Sequence, residues 1–247
     1  MKKPIFWTIF VLFLVLIIIR LSVLSRLPKF QKENKLAMPT PQAPHNNIID
    51  LPQPELKGKM SLEEAIFERR SRREYTPESL TLAQVSQILW SGQGITDEKT
   101  GFRSSPSAGA LYPLDIYLVV GKNGVGDLSE GVYHFLPQGQ KLEKILTGDL
   151  RELLMKASLN QSFIAEAPVV LVITGEYERT TVKYGERGRQ YVHQEAGHTA
   201  QNIYLQIESL GLGTVTIGAF DEEEIINILN LPQTYRPLYV MPVGRVK

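Results

Sequence analysis

Read from the N-terminus, the apolar positions run first without interruption and then break into periodic stretches. Residues Ile5 to Ile19 are apolar apart from Thr8, with Lys2 and Lys3 before them and Arg20 after. Continued through Leu24, the run makes a helix of ~30 Å, enough to span a bilayer with Arg20 reaching back to the interface. It is read as a single-pass N-terminal anchor over residues 1–27, with a membrane localisation as the consequence. A cleaved signal peptide competes, since Val23 and Ser25 offer small residues near a cleavage point. Basic residues on both flanks leave the orientation open. Residues 28–58 are polar, carry Pro39, Pro41, Pro44, Pro52 and Pro54, and show no sustained period. They predict a semi-extended linker, with Ile48 to Leu51 open to packing on the domain as a short strand.

From residue 59 to residue 247 the pattern is that of one folded domain. Ser61-Leu-Glu-Glu64 has the form of a capping box, and Leu62, Ala65 and Ile66 follow at helical spacing. Thr81-Leu-Ala-Gln84 opens a second helix in the same way, and Asp221-Glu-Glu-Glu224 another. The longest helical pattern runs from about Arg189 to Leu210, where Gly211 and Gly213 stop it. Strands are predicted at Ile116 to Val120, Val132 to Leu136, Val169 to Thr174, Thr214 to Ile217 and Leu238 to Val243. Helices and strands mix without strict alternation, which indicates an α+β fold.

A net charge of +1 provides no global field to recruit nucleic acid, and the absence of cysteine excludes disulfides, thiolate metal sites and a cysteine nucleophile. Redox chemistry then needs a bound cofactor. Arg69-Arg70-Ser71-Arg72-Arg73 gathers four guanidinium groups and a hydroxyl at a helix end. Such a set suits a phosphate monoester, and equally a solvated helix C-terminus helped by Glu63 and Glu64. Ser104 to Pro113 is a run of small residues before a strand, able to let backbone amides approach a planar ligand or simply to turn. Gly218 and Ala219 stand between a strand end and the Asp221 helix, where free amides meet a ligand or close a turn. Glu195 and His198 share a helix face but have no third ligand, so a hydrogen-bonding role is favoured over a metal.

Taken together, R-R-S-R-R, T-P-E-x-L-T, P-S-A-G-A-L-Y-P, E-A-G-H-x-x-Q-N-I-Y-L-Q, G-L-G and G-A-F-D resemble the SagB-type branch of nitroreductase-like FMN oxidoreductases, over about Lys59 to Lys247. The branch includes azoline dehydrogenases of modified peptides. The resemblance implies a three-layer fold with a central, mainly antiparallel sheet flanked by helices, and a homodimer with FMN at the interface. It implies that Arg69, Arg70, Ser71 and Arg73 hold the phosphate and ribityl chain, and that Pro106, Ser107, Ala108 and Ala110 approach the same flavin from the other subunit. Gln161, Gly218 and Ala219 then face the polar edge of the ring, and Arg245 adds to the phosphate site. Lys183 and Tyr184 look like the lysine-tyrosine base of the azoline dehydrogenases, a role that a desolvated amine beside a phenol can fill. The alternative for Lys183 is a solvated charge among Arg179, Glu186, Arg187 and Arg189.

The activity so implied is hydride transfer between FMN and an organic substrate, either a small molecule or a peptide. No G-x-G-x-x-G follows a predicted strand, so NAD(P)H as donor has to use the flavin pocket transiently. A flavin-binding module without turnover is the alternative from outside enzymology.

Overall fold

The computed structural model describes residues 47–247. Its centre is a seven-stranded sheet in which every adjacent pair is antiparallel. The strands are β1 (Ile48–Asp50), β4 (Leu114–Val120), β5 (Gly131–Leu136), β6 (Lys141–Thr147), β7 (Val169–Glu176), β8 (Gly213–Thr214) and β9 (Tyr235–Gly244), ordered β1-β6-β5-β4-β7-β9-β8. A separate small hairpin joins β2 (Ile95–Asp97) to β3 (Phe102–Arg103).

Period-two alternation gives the sheet two apolar faces. Ile116, Leu118, Leu171 and Ile173 point to one core, shared with α2 (Leu82–Gln93) and α6 (Arg187–Ser209). Tyr117, Val119, Val170 and Val172 point to the other, closed by α3 (Arg151–Ala157), α4 (Phe163–Glu166) and α7 (Glu222–Leu229). Buried on both sides, each of these side chains contributes about 1.5–3 kcal/mol. The expected α+β architecture, an antiparallel sheet between helical layers, is therefore found.

Local chemistry sets the helix starts. Thr81 and Gln84 exchange a full capping box, and Asp221 accepts the Glu224 N–H at 3.0 Å. At α1 (Leu62–Glu68), Ser61 Oγ accepts the Glu64 N–H at 3.1 Å. Two short helices lie near the site, α5 (Tyr177–Tyr184) and a 3-10 turn at Ala108–Ala110.

Ile48 to Asp50 pairs with β6, so the short-strand alternative for that stretch is the one found. The predicted strand at Thr214 to Ile217 is reduced to Gly213–Thr214 plus a single bridge from Ile217 to Val240. The expected membrane localisation is corrected. Among the described residues no helix is long and apolar enough to cross a membrane. The longest, α6, carries Arg187, Arg189 and Glu208 outside its buried stripe and Glu195 within it. The segment on which the anchor rested, residues 1–27, lies outside the described residues, as does most of the linker.

Candidate active site

Arg69 closes α1 by donating its N–H to the Ala65 carbonyl at 3.0 Å, and the chain then turns along the sheet edge. Ser71 bridges to Thr214 in parallel, and the Arg72 N–H donates to the Thr214 carbonyl at 2.9 Å. The Ser71 hydroxyl lies 3.0 Å from Tyr204 Oη, which also accepts the Thr216 N–H at 2.9 Å. The Arg69 guanidinium sits over the Tyr204 ring at 5.1 Å, and that of Arg73 over Phe163 at 5.9 Å. Arg70 turns back, its Nη1 donating to the carbonyls of Phe67 and Arg69 at 2.7 and 2.8 Å. Among the described residues, none of the four arginines is paired with a carboxylate, Glu63 and Glu64 included. Four guanidinium groups within five residues and without a carboxylate partner would attract a dianion.

The next wall is built from α4 and the turn into α7. Gln161 Nε2 donates to the Ser158 carbonyl at 2.9 Å and to the Ala219 carbonyl at 3.4 Å, so the structure brings Gln161 and the Gly218–Ala219 turn together. Phe163, under Arg73, ties this wall to the arginine cluster. Gly218 is exposed, and a β-carbon there would meet no atom within 4 Å, so the turn fronts open space.

The small-residue loop is pinned to α6. Asn202 Nδ2 donates to the Ser104 carbonyl and to Ser105 Oγ at 3.2 and 3.1 Å. The Ala108 N–H donates to Glu195 Oε1 at 2.9 Å, so Glu195 has a hydrogen-bonding role in holding the loop. Burial raises the Glu195 carboxyl above its ordinary range, opposed by its bonds to Ala108 and Ser107. Ser107 Oγ accepts the Tyr112 N–H at 2.9 Å. Gly109, Ala110 and Tyr112 all take left-handed backbone, with φ of 64°, 54° and 46°. Strain of this kind in non-glycine residues persists where the surroundings dictate it.

Lys183 and Tyr184 close over this loop. A β-carbon on Gly109 would lie 2.7 Å from both Lys183 Nζ and Tyr184 Oη, so the pair and the loop are brought together. Lys183 is exposed, with its Nζ 5.4 Å from the centre of the Tyr184 ring, and Tyr184 packs edge-on against Tyr191. Beneath them lies a polar cluster that sequence reasoning missed. His134 Nε2 and Arg179 Nη1 each lie 2.9 Å from an Asp115 carboxylate oxygen, and Arg179 Nε lies 2.6 Å from Glu176. Burial alone would raise the Asp115 carboxyl, but the His134 hydrogen bond and the Arg179 charge prevail and hold it low.

The loop and the arginine cluster use different sides of α6. Glu195, which holds the loop, and Tyr204, which meets Ser71, are ~13 Å apart along that helix and ~180° around it, at opposite edges of its buried stripe. Arg245 accepts the Thr76 N–H at its carbonyl at 2.8 Å, just beyond the arginine cluster, and its Nε lies 2.8 Å from Glu78 in an exposed ion pair. Tyr204 was also missed as a site residue, although it stands in the Q-N-I-Y motif. Its hydroxyl role depends on the turn at Thr216, which no spacing reveals.

The nitroreductase family model matches residues 66–245, and the chain belongs to that family of oxidoreductases. It is 50% identical over 187 residues to a candidate nitroreductase of Methanocaldococcus jannaschii, covering 76% of this chain and 92% of that one. It is 29% identical to the microcin B17-processing protein McbC of Escherichia coli, over 68% of this chain and 63% of McbC. A crystal structure of a candidate nitroreductase from Ralstonia eutropha superposes with a TM-score of 0.73 at 27% identity, covering 86% of this chain and 96% of that one. The resemblance drawn from the motifs thus holds at the family level.

Proposed function

We propose that the chain is an FMN-dependent oxidoreductase that moves a hydride between the flavin and an organic substrate, acting as a homodimer. The observation that carries this reading is the cluster of Arg69, Arg70, Ser71 and Arg73, charged, unpaired and fixed to the sheet edge. Arg69, Ser71 and Arg73 would hold the phosphate, and Gln161 with the amides of Gly218 and Ala219 would meet the polar edge of the ring. FMN, when bound, accepts or gives a hydride at its N5. Arg70 is largely engaged with its own helix end, and Arg245 is paired with Glu78.

Dimerisation is supported by the two-sided use of α6. Within one chain the loop of Pro106, Ser107, Ala108 and Ala110 lies across the helix from the arginines, so a second copy is needed to bring both walls to one ligand. The apolar face of α1 is free to form that contact, with Leu62, Ile66 and Phe67 exposed by 61, 55 and 72%. NAD(P)H is the proposed transient donor.

A second reading, an azoline-type dehydrogenase of peptides, is favoured by the closure of Lys183 and Tyr184 over Gly109 and by the similarity to McbC. Lys183 would then take the substrate proton and Tyr184 would orient it. The experiment is to record the visible spectrum of the purified full chain, FMN added, before and after anaerobic NADH, NADPH or dithionite. Bleaching by a nicotinamide and reoxidation by an organic acceptor support the reductase. Bleaching by dithionite alone turns attention to the peptide reading. A flavin that no donor reduces rejects turnover altogether.

A further inference from the structure

We propose that Arg179 is a positioning residue for Lys183 and Tyr184, a latch that joins the helix carrying them to the strained corner of the loop they face. The proposal rests on the reading of that pair as substrate-facing. Each nitrogen of the guanidinium has a partner. Nη1 donates to the Tyr112 carbonyl at 3.2 Å and lies 2.9 Å from Asp115 Oδ2, Nε lies 2.6 Å from Glu176 Oε2, and Nη2 donates to Tyr235 Oη. The contacts reach the loop, β4, β7 and β9 from a single side chain on α5.

The partners are themselves held. Asp115 Oδ1 is 2.9 Å from His134 Nε2, and His134 stacks on Tyr117 at 4.8 Å. Glu176 Oε1 accepts from Thr234 Oγ1 at 3.2 Å. Tyr112, a bulky residue in left-handed backbone, is fixed at its N–H by Ser107, at its ring by Arg103 at 4.5 Å, and at its carbonyl by Arg179. Lys183 follows Arg179 by one turn on the same helix face. Fixing Arg179 to both the sheet and Tyr112 therefore sets how closely Lys183 and Tyr184 approach Gly109. Lysine cannot replace it, because an ammonium lacks the planar fork that addresses a carboxylate and a carbonyl together.

A purely structural ion pair would stabilise the domain without linking these two segments, and hydrogen exchange separates the cases. In the full chain, Arg179→Lys is expected to speed amide exchange roughly ten-fold or more in both 106–112 and 177–185, as loss of a charged hydrogen bond implies. Segments 169–175 and 222–229 should keep wild-type rates. Asp115→Asn, which preserves shape, should loosen the same pair of segments beyond the uniform acceleration that its lower global stability brings. In FMN-loaded protein Arg179→Lys should lower the turnover number with NADPH and a nitroaromatic acceptor more than it alters KM. Wild-type exchange at 106–112 in either variant, or equal acceleration throughout the chain, overturns the latch. A wild-type chain that takes up no FMN defeats the flavin reading alone, since the exchange comparison needs no flavin.

Discussion

Gly109 faces Lys183 so closely that a β-carbon at position 109 would lie 2.7 Å from the lysine Nζ. The same carbon would meet Tyr184 Oη at 2.7 Å, and the backbone there is left-handed at φ 64°. Gly109→Ala is therefore expected to cost about 1–2 kcal/mol from the backbone and to push the lysine-tyrosine pair off the loop. The denaturation midpoint should fall and turnover should drop well beyond what lost stability explains. Wild-type turnover in this variant would mean that the closure has no part in the chemistry.

Arg73→Ala removes one charge from the cluster without touching the sheet-edge hydrogen bonds, which are made by Ser71 and Arg72. A charge-assisted hydrogen bond contributes about 1.5–3 kcal/mol, so FMN affinity should fall roughly ten-fold or more. Riboflavin, which lacks the phosphate, should bind the variant and the wild type alike. Fluorescence titration of both ligands checks this, and equal losses for the two would place Arg73 against the ring instead of the phosphate.

The elements legible in the sequence are those whose signals are local. Thr81 with Gln84 and Asp221 with Glu224 mark helix starts because the cap is made within four residues. β4 from Ile116 to Val120 and β7 from Val169 to Ile173, buried on both faces, are continuous apolar runs. β6 escaped because Lys141, Glu143 and Lys144 interrupt it and a register shift opposite Val132 and Tyr133 breaks its alternation. In the candidate site, the arginine cluster, the small-residue loop and the Gly218–Ala219 turn were legible as motifs, whereas Gln161 came only from the family resemblance. Arg179 was read only as a neighbouring charge, because its partners Asp115 and Tyr235 are distant in sequence and meet it only in the folded sheet.

Asp115→Asn tests the buried cluster through pH. The carboxyl is held below its ordinary range in the folded chain, so its stabilisation is present above the unfolded value of ~3.9 and is lost as pH falls through the folded one. The variant should lose about 3 kcal/mol near neutral pH. The gap to the wild type should close on acidification below about pH 4. Urea denaturation across that range gives the answer, and a gap independent of pH would show that the Asp115 charge does not stabilise the fold.

Phe67→Asp places a charge on the exposed face of α1. If that face joins two copies, the variant should sediment as a monomer and lose FMN, because the loop and the arginines no longer meet across the seam. A monomeric variant that keeps wild-type FMN affinity would confine the pocket to one chain.

The most direct test of the central claim is an FMN titration of the purified full chain, read together by flavin absorbance and sedimentation. The account predicts two FMN per dimer, with sedimentation and colour moving as one species, and weak binding when all of Arg69, Ser71 and Arg73 are replaced by alanine. A chain that stays colourless at saturating FMN, or a triple variant that binds as tightly as the wild type, would contradict it.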